Sequence, residues 1–575
     1  MHYPVTGLFI LGKKRIISHN SAELVIKTAD EGERFLFSFE SVVLCCYPTS
    51  SHDQMDISIF TEENIKIESL NLFRYYLMIF LAVTALVWYA QFLWKRRNLY
   101  IHSWKVDGPF SLPFIGCGYL ILGKTESVIS IILKLQNKIP SKLLRMWLGP
   151  RLIYFVVDPE HIEKVLNHPK ALDKEPVYKY VANVIGLGLL TAPVKKWKYH
   201  RKLLAPSFNQ KILDTFVEVF AEQSITFADQ LKTVIGQKKI DLYLLASRCT
   251  LDIICQTAMG VNMNIQKEKG TYGVILDRAM EILTYRIFRV WYHVDLLWNF
   301  SPSGRILDRC MQVIQDITGS VVSKKIDKYK KDVEFKQSCT DAEIEEEPVY
   351  KRLAFLDLIL KNSVFTELEL REEVDIMLAA GTETTASSIC CLFTMLGMYP
   401  DIQQKVYEEV IDILGPDRTV VASDLAELKY TERVIKENLR LFPIAAIFAR
   451  SIEEDIDIGD AILPAGSSVA FNTVHIHRNP EYWVDPLKFD PDRFSPEEVA
   501  KRHPCTYIPF SYGPRNCIGW KYAIANIKTI ISTVIRRYRI FTEYKSIEEI
   551  DLKINLLLRM KDGPKVWLEY RGQEN

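Results

Sequence analysis

A chain of 575 residues, 48% apolar and 25% charged, has the material for a large core and several average domains. Its net charge of +1 excludes a whole-chain argument for nucleic acid or for a strongly acidic partner. The 11 cysteines, among them the adjacent pairs Cys45–Cys46 and Cys390–Cys391, lack metal-finger or disulfide-framework spacing, which suits a reducing compartment.

Residues 1–70 mix short β-prone runs (Glu33 to Phe39, Val42 to Leu44) with polar stretches and carry no motif. They are expected to be an unusual extension or an artefact of the assigned start, since Met78 could open the next segment directly. Tyr75 to Trp94 is nearly all apolar, close to the ~20 residues a helix needs to cross a bilayer. The cations Lys95, Arg96 and Arg97 follow it, so residues 71–97 read as a single membrane anchor with a basic stop. The positive-inside rule then places the rest of the chain in the cytosol. A buried core helix is the competing interpretation, and the one-sided cations weigh against it. Residues 98–117 include Asp107-Gly-Pro109 and Pro113-Phe-Ile-Gly116, which cannot be helical throughout and form a stiff hinge.

Helical periodicity dominates from residue 118, with β-type runs near 143–158. Trp197 and Arg201 stand four apart, on one helical face, where both can point nitrogen donors at a buried anion or form an ordinary surface pair. Lys195, Lys196, Lys198 and Lys202 make this segment basic, either a solvated face or a dock for an acidic partner. Residues 324–352 are charge-rich and read as an exposed connection. Thr366-Glu-Leu-Glu369 fits a capping box, opening a long helix that runs to about Met398. Gly381, in mid-helix, costs about 1 kcal/mol against alanine. Ala380 and Gly381 would let a flat ligand lie against the backbone, or else serve close helix packing. Thr384 can donate a hydroxyl hydrogen bond there and Glu383 can feed protons.

Glu437 and Arg440 form an i, i+3 pair of a kind usually solvated and worth little. The helix that carries them stops before Pro443, and an apolar run leads to Arg450. His475 and His477 alternate without an acidic partner, which favours a structural role over metal binding. Near the end stands Phe510-Ser-Tyr-Gly513-Pro-Arg515-Asn-Cys517-Ile-Gly519, followed by a helical run from Trp520. Gly513 and Gly519 permit a tight turn through positive φ. Phe510 can shield the sulfur, Arg515 can meet an acidic group, and the helix N-terminus favours a thiolate at Cys517.

This last stretch resembles the haem-binding loop Phe-x-x-Gly-x-Arg-x-Cys-x-Gly of the cytochromes P450. Four further motifs fall in that family's order over residues ~105–575: Trp197/Arg201, the Ala380–Thr384 box, Glu437/Arg440, and Phe489-x-Pro491-x-Arg493-Phe494. The resemblance implies a mainly α fold with a smaller β region behind a single N-terminal transmembrane helix, with residues 118–575 forming the haem domain. It implies haem b with Cys517 as axial iron ligand, and propionates gripped by Trp197, Arg201 and Arg450. Glu383 and Thr384 would deliver protons to dioxygen. Glu437 and Arg440 would lock onto Arg493 in support of the haem loop, and Ile444 to Phe448 would line the substrate cavity.

The implied reaction is monooxygenation of a lipophilic fatty acid, lipid-derived or foreign compound. Electrons would come from NADPH through cytochrome P450 reductase, with cytochrome b5 as a second donor, on the cytoplasmic face of the endoplasmic reticulum. The spacing looks most like family 4, the group of the fatty-acid ω-hydroxylases. Some of these carry a glutamate where Ala380 stands, so an ester link to haem is not expected here. A P450-fold isomerase or dehydratase acting on hydroperoxides would need neither Glu383 nor Thr384, and a non-catalytic haem protein would need neither proton box nor reductase.

Overall fold

The computed structural model describes the backbone at 9–11, 14–19, 23–27, 34–38, 42–46 and 57–572, less 113, 122, 124–127, 238–239, 269–271, 339–353 and 362–364; side chains are described from residue 70 on, less 328 and 332–338. The chain divides into two units, Met1–Arg97 and Asn98–Asn575. In the first, Phe9–Leu11, Lys14–His19, Glu23–Lys27 and Arg34–Ser38 make an antiparallel meander, and Val42–Cys46 pairs with Ile57–Thr61. Helix α1 (Glu62–Lys95) follows, and its stretch Leu70–Lys95 has a mean hydropathy of 1.9 with none of its apolar window buried. Length and composition make it a candidate membrane span.

The second unit is mainly helical. Its start departs from the expected hinge, because Arg97–Trp104 is a helix and only the Pro/Gly part beyond it is irregular. That neck is bonded to the body: Arg145 N donates to Asp107 O at 2.8 Å and Cys117 N to Trp147 O at 2.5 Å. Gly116 has φ +63, and a Cβ there would lie 2.1 Å from Trp147 O, so glycine is required at this contact.

Strands β1 (Leu143–Leu148) and β2 (Arg151–Val156) pair antiparallel. Strand β3 (Ile447–Ser451) and strand β4 (Ser468–Asn472) complete the sheet in the order β1-β2-β4-β3, with β4 parallel to β2. A short hairpin, β5 (Leu552–Asn555) with β6 (Leu557–Met560), turns at Leu556, which has φ 58.

The helices that build the site are α2 (Val194–Leu204), α3 (Leu242–Ile254), α4 (Tyr272–Phe288), α5 (Pro302–Ser338), α6 (Glu367–Met398), α7 (Lys429–Leu441) and α8 (Trp520–Arg537). Helix α6 starts as its sequence predicts: Thr366 Oγ1 accepts from Glu369 N at 3.2 Å while Glu369 Oε2 accepts from Thr366 N at 3.0 Å. Its apolar window is 83% buried, so this second long apolar helix is the core of the body. Helix α5 corrects the exposed connection expected over 324–352. No glycine or proline interrupts residues 320–338, and the helix continues to Ser338; residues 339–352 lie outside the described residues.

Candidate haem-thiolate site

Cys517 lies in the turn that joins the Phe510 loop to α8. Its N–H donates to Phe510 O at 2.9 Å, closing the loop on itself. Gly513 has φ +72, and a Cβ there would stand 2.4 Å from Leu166 O, so this glycine answers both a left-handed backbone and a close approach. Gly519 does not match its predicted role. Its φ is −94, open to any residue, and it serves as the first residue before α8; Ser511 takes the other positive φ, at 63. Among the described cysteines Cys517 is the one exposed thiol. Enclosure by the loop pushes its thiol up, against the Gly519 N–H and the charge of Arg201, which favour the thiolate.

Around this loop stand cations without ion-pair partners among the described residues. Arg515 is buried, and donates to Leu172 O at 2.7 Å and to Ala192 O. Its Nε has no partner, and its guanidinium lies 5.1 Å from the Trp197 ring. Arg201 does not face Trp197 alone: it donates to both O and Oδ1 of Asn516 at 2.8 Å, tying α2 to the cysteine loop. Arg450, on β3, is 1% exposed, and among the described residues its side chain donates to Ala449 O at 3.3 Å and lies 5.4 Å from the Phe448 ring, with Tyr178 nearby. Lys174, absent from the sequence reading, bridges to Arg450 through its backbone and lies 4.9 Å from the Tyr178 ring.

Burial and the Arg450 charge push Arg515 down to about 10, against the opposing effect of Asp173 and Tyr178, and burial with Arg450 and Arg515 pushes Lys174 well below its ordinary value. A buried charge without a counter-ion costs several kcal/mol. Uncompensated arginines and a lysine beside an accessible thiol therefore fit an anionic, thiolate-ligated group such as haem with its propionates.

On α6, Thr384 Oγ1 donates to Ala380 O at 2.6 Å, and Ala380 is exposed on the same face. Gly381 faces elsewhere: a Cβ there would come within 2.8 Å of Ile254 Cδ1 on α3. Of its two sequence readings, close helix packing accounts for this glycine. Glu383 also leaves the Ala380–Thr384 face. It is fully buried, with Oε2 bound by the Tyr243 hydroxyl from α3 and by Arg559 from β6. Burial raises its carboxyl pKa, opposed by the Arg559 charge and the Tyr243 hydrogen bond.

Two further arrangements support the site. Arg440 Nε and Nη2 grip Glu437 at 2.6 and 2.8 Å, with both side chains fully buried, and Arg493 Nε stands 3.5 Å from Glu437 Oε1. Arg440 also donates to the carbonyls of His477 and Pro486, so it gathers the segment before the cysteine loop. His477 Nε2 accepts from Ile508 N at 2.8 Å, a structural use of that imidazole. The second arrangement escaped the sequence reading: His200 Nδ1 lies 2.6 Å from Glu373 Oε1, both buried, while Glu373 Oε2 accepts from Leu189 N. This joins α2, next to Arg201, to α6. The basic face of α2 is reduced, because Lys196 pairs with Glu372 at 3.0 Å, whereas Lys195, Lys198 and Lys202 remain exposed.

A thiol loop, buried cations without ion pairs among the described residues and a hydroxyl-bearing central helix fit a haem-thiolate oxygenase. The cytochrome P450 family model matches residues 106–566, so the chain belongs to the cytochrome P450 family and is a monooxygenase. It is similar to cytochrome P450 4c3 of Drosophila melanogaster (34% identity over 511 residues, 85% of this chain and 93% of the relative). It is also similar to cytochrome P450 4V2 of Homo sapiens (35% over 495 residues, 83% and 93%) and cytochrome P450 4c21 of Blattella germanica (34% over 488 residues, 83% and 96%). The relatives place it with family 4, using haem, dioxygen and a redox partner.

Proposed function

We propose that this P450 hydroxylates a lipophilic lipid-derived or foreign compound at the endoplasmic reticulum, with NADPH-cytochrome P450 reductase as donor and cytochrome b5 as a second one. The balance is substrate C–H plus O2 plus NADPH plus H+ giving C–OH, H2O and NADP+. When bound, haem supplies dioxygen activation at an iron whose thiolate ligand favours O–O cleavage. Cys517 would hold that iron. Arg450, Arg515 and Lys174 would bind the propionates, with Arg201 and Trp197 bracing the loop. Thr384 presents a hydroxyl beside Ala380, and Glu383 holds the proton to be relayed.

Ile444 to Phe448 and the tip of the β5–β6 hairpin offer apolar side chains that exclude water, which favours a lipophilic substrate. Lys95 to Arg97 after α1 favour a cytoplasmic body. Trp291, Leu296, Leu297 and Phe300 are exposed apolar residues that support a second contact with the bilayer.

The observation that carries the reading is the exposed Cys517 amid cations that have no carboxylate within ion-pair distance among the described residues. The reduced-minus-reduced-plus-CO difference spectrum of membranes containing the protein tests it. A strongly red-shifted Soret band that Cys517→Ser abolishes is expected; a haem-loaded protein without that band ends the reading.

A further inference from the structure

We propose that Arg559 is a positioning residue, coupling the β5–β6 hairpin to Glu383. The proposal rests on the reading of Glu383 as the proton-holding group. Four elements meet at this junction. Arg559 Nη2 donates to Glu383 Oε2 and to the Tyr243 hydroxyl, and Nη1 donates to Asp277 Oδ1, on α4, at 2.5 Å. Its guanidinium carbon lies 4.0 Å over the Tyr243 ring, which fixes the plane of the fork. Glu383 Oε1 is buried without a partner, so Arg559 and Tyr243 provide the hydrogen bonds its carboxylate has.

The same strand is held to the apolar run before Arg450. Leu558 N donates to Ile444 O at 2.8 Å, one residue from Arg559. A compound that displaces Ile444 or the hairpin turn at Leu556 therefore shifts the guanidinium, and a bidentate fork tolerates little displacement. The charge count explains why this matters. Two carboxylates, Glu383 and Asp277, share one guanidinium, leaving one negative charge that a single proton neutralises. Asp277, about one-third exposed, keeps Arg559 paired when Glu383 is released. Glu383, fully buried, then takes up a proton in place of its lost cation. Around the junction, Tyr272 on α4 and Cys390 on α6 supply no countercharge, and Asp241 just before α3 and Asp375 on α6, which act on those two groups, are carboxylates and offer Glu383 no replacement cation. Arg559 thus ties movement of the Ile444 run and of the β5–β6 hairpin to the moment at which the acid can accept and pass on a proton.

The test uses the full-length holoprotein with its flavoprotein reductase and dodecanoic acid as probe, comparing wild type with R559K, R559L, D277N and E383Q. Peroxide released per NADPH reports failed proton delivery, through O2 plus NADPH plus H+ giving H2O2 and NADP+. Amide hydrogen exchange over 552–560, without substrate, reports whether the hairpin is latched. R559K and R559L are expected to keep the CO band of wild type, to exchange those amides about tenfold faster, and to raise the peroxide share several-fold, as E383Q does. D277N is expected to show the same direction with a smaller effect, and it carries the test if R559L does not fold. Wild-type exchange and peroxide share in R559K and D277N, with E383Q uncoupled, overturns the coupling and leaves the reading of Glu383 intact. An E383Q protein with unchanged peroxide share overturns that reading and the coupling with it.

Discussion

Arg440 and Arg515 are both buried arginines near one loop, and they differ in what compensates them. Arg440 has a bidentate carboxylate and further carbonyls, so its charge is met within the fold. Among the described residues Arg515 donates to carbonyl oxygens, lies beside the Trp197 ring and leaves its Nε without a hydrogen-bond partner, and Arg450 likewise has no ion pair. The first arrangement is finished without a ligand, whereas the second carries positive charge that the protein alone does not neutralise. Stability should therefore reside in the Glu437–Arg440 pair and affinity for an anionic cofactor in the Arg450–Arg515 set.

The largest expected effect would break the finished side. Arg440→Leu strands Glu437 without a bidentate partner, a loss of about 3–5 kcal/mol that should lower the urea midpoint and abolish the CO band together. Arg515→Leu is expected to move the stability of the haem-free protein by no more than about 1–2 kcal/mol, since it removes an uncompensated charge along with its hydrogen bonds. Its haem-to-protein ratio should fall instead. Equal destabilisation of the haem-free protein by both substitutions would erase the distinction.

A smaller effect sharpens the picture through pH. Burial, aided by the charge of Arg440, pushes His477 from 6.5 down to about 3. Between those values the unfolded chain binds a proton that the folded chain refuses, so stability falls on acidification through that window. Between about pH 7.5 and about pH 5.5 this amounts to ~1.4 kcal/mol of unfolding free energy. His477→Gln should remove that increment from paired urea titrations, and an unchanged slope would assign the acid sensitivity to other groups.

What was legible in the sequence was local. The Thr366 capping box, the strands near 143–158, the end of α7 before Pro443 and the cysteine loop each depend on residues a few positions apart. The missed residues depend on distance along the chain. Tyr243, Asp277 and Arg559 reach Glu383 only after the fold brings α3, α4 and β6 onto α6, and no spacing announces that. His200 and Glu373 are likewise 173 residues apart. Gly519 was misread because glycine permits a positive φ without requiring one, and the start of the connection expected over 324–352 was misread because charge density alone does not end a helix. By spacing alone the Glu437–Arg440 pair reads as a solvated bridge, since i, i+3 spacing says nothing about burial; its link to Arg493 comes from the motif order.

Helix α6 has one more consequence, for biosynthesis. Like the stretch Leu70–Lys95, it is long and apolar enough to be offered to the membrane as the chain emerges from the ribosome. Yet it belongs inside the folded body, so insertion would be a sorting error. Glu373 and Asp375 lie in its first half, and Glu383 lies close to its midpoint. An acidic side chain at the centre of a nascent span opposes insertion by a few kcal/mol. Acids buried in the core of the body thus also act as an address, biasing the segment to stay with the body until α3 and α7 can cover it.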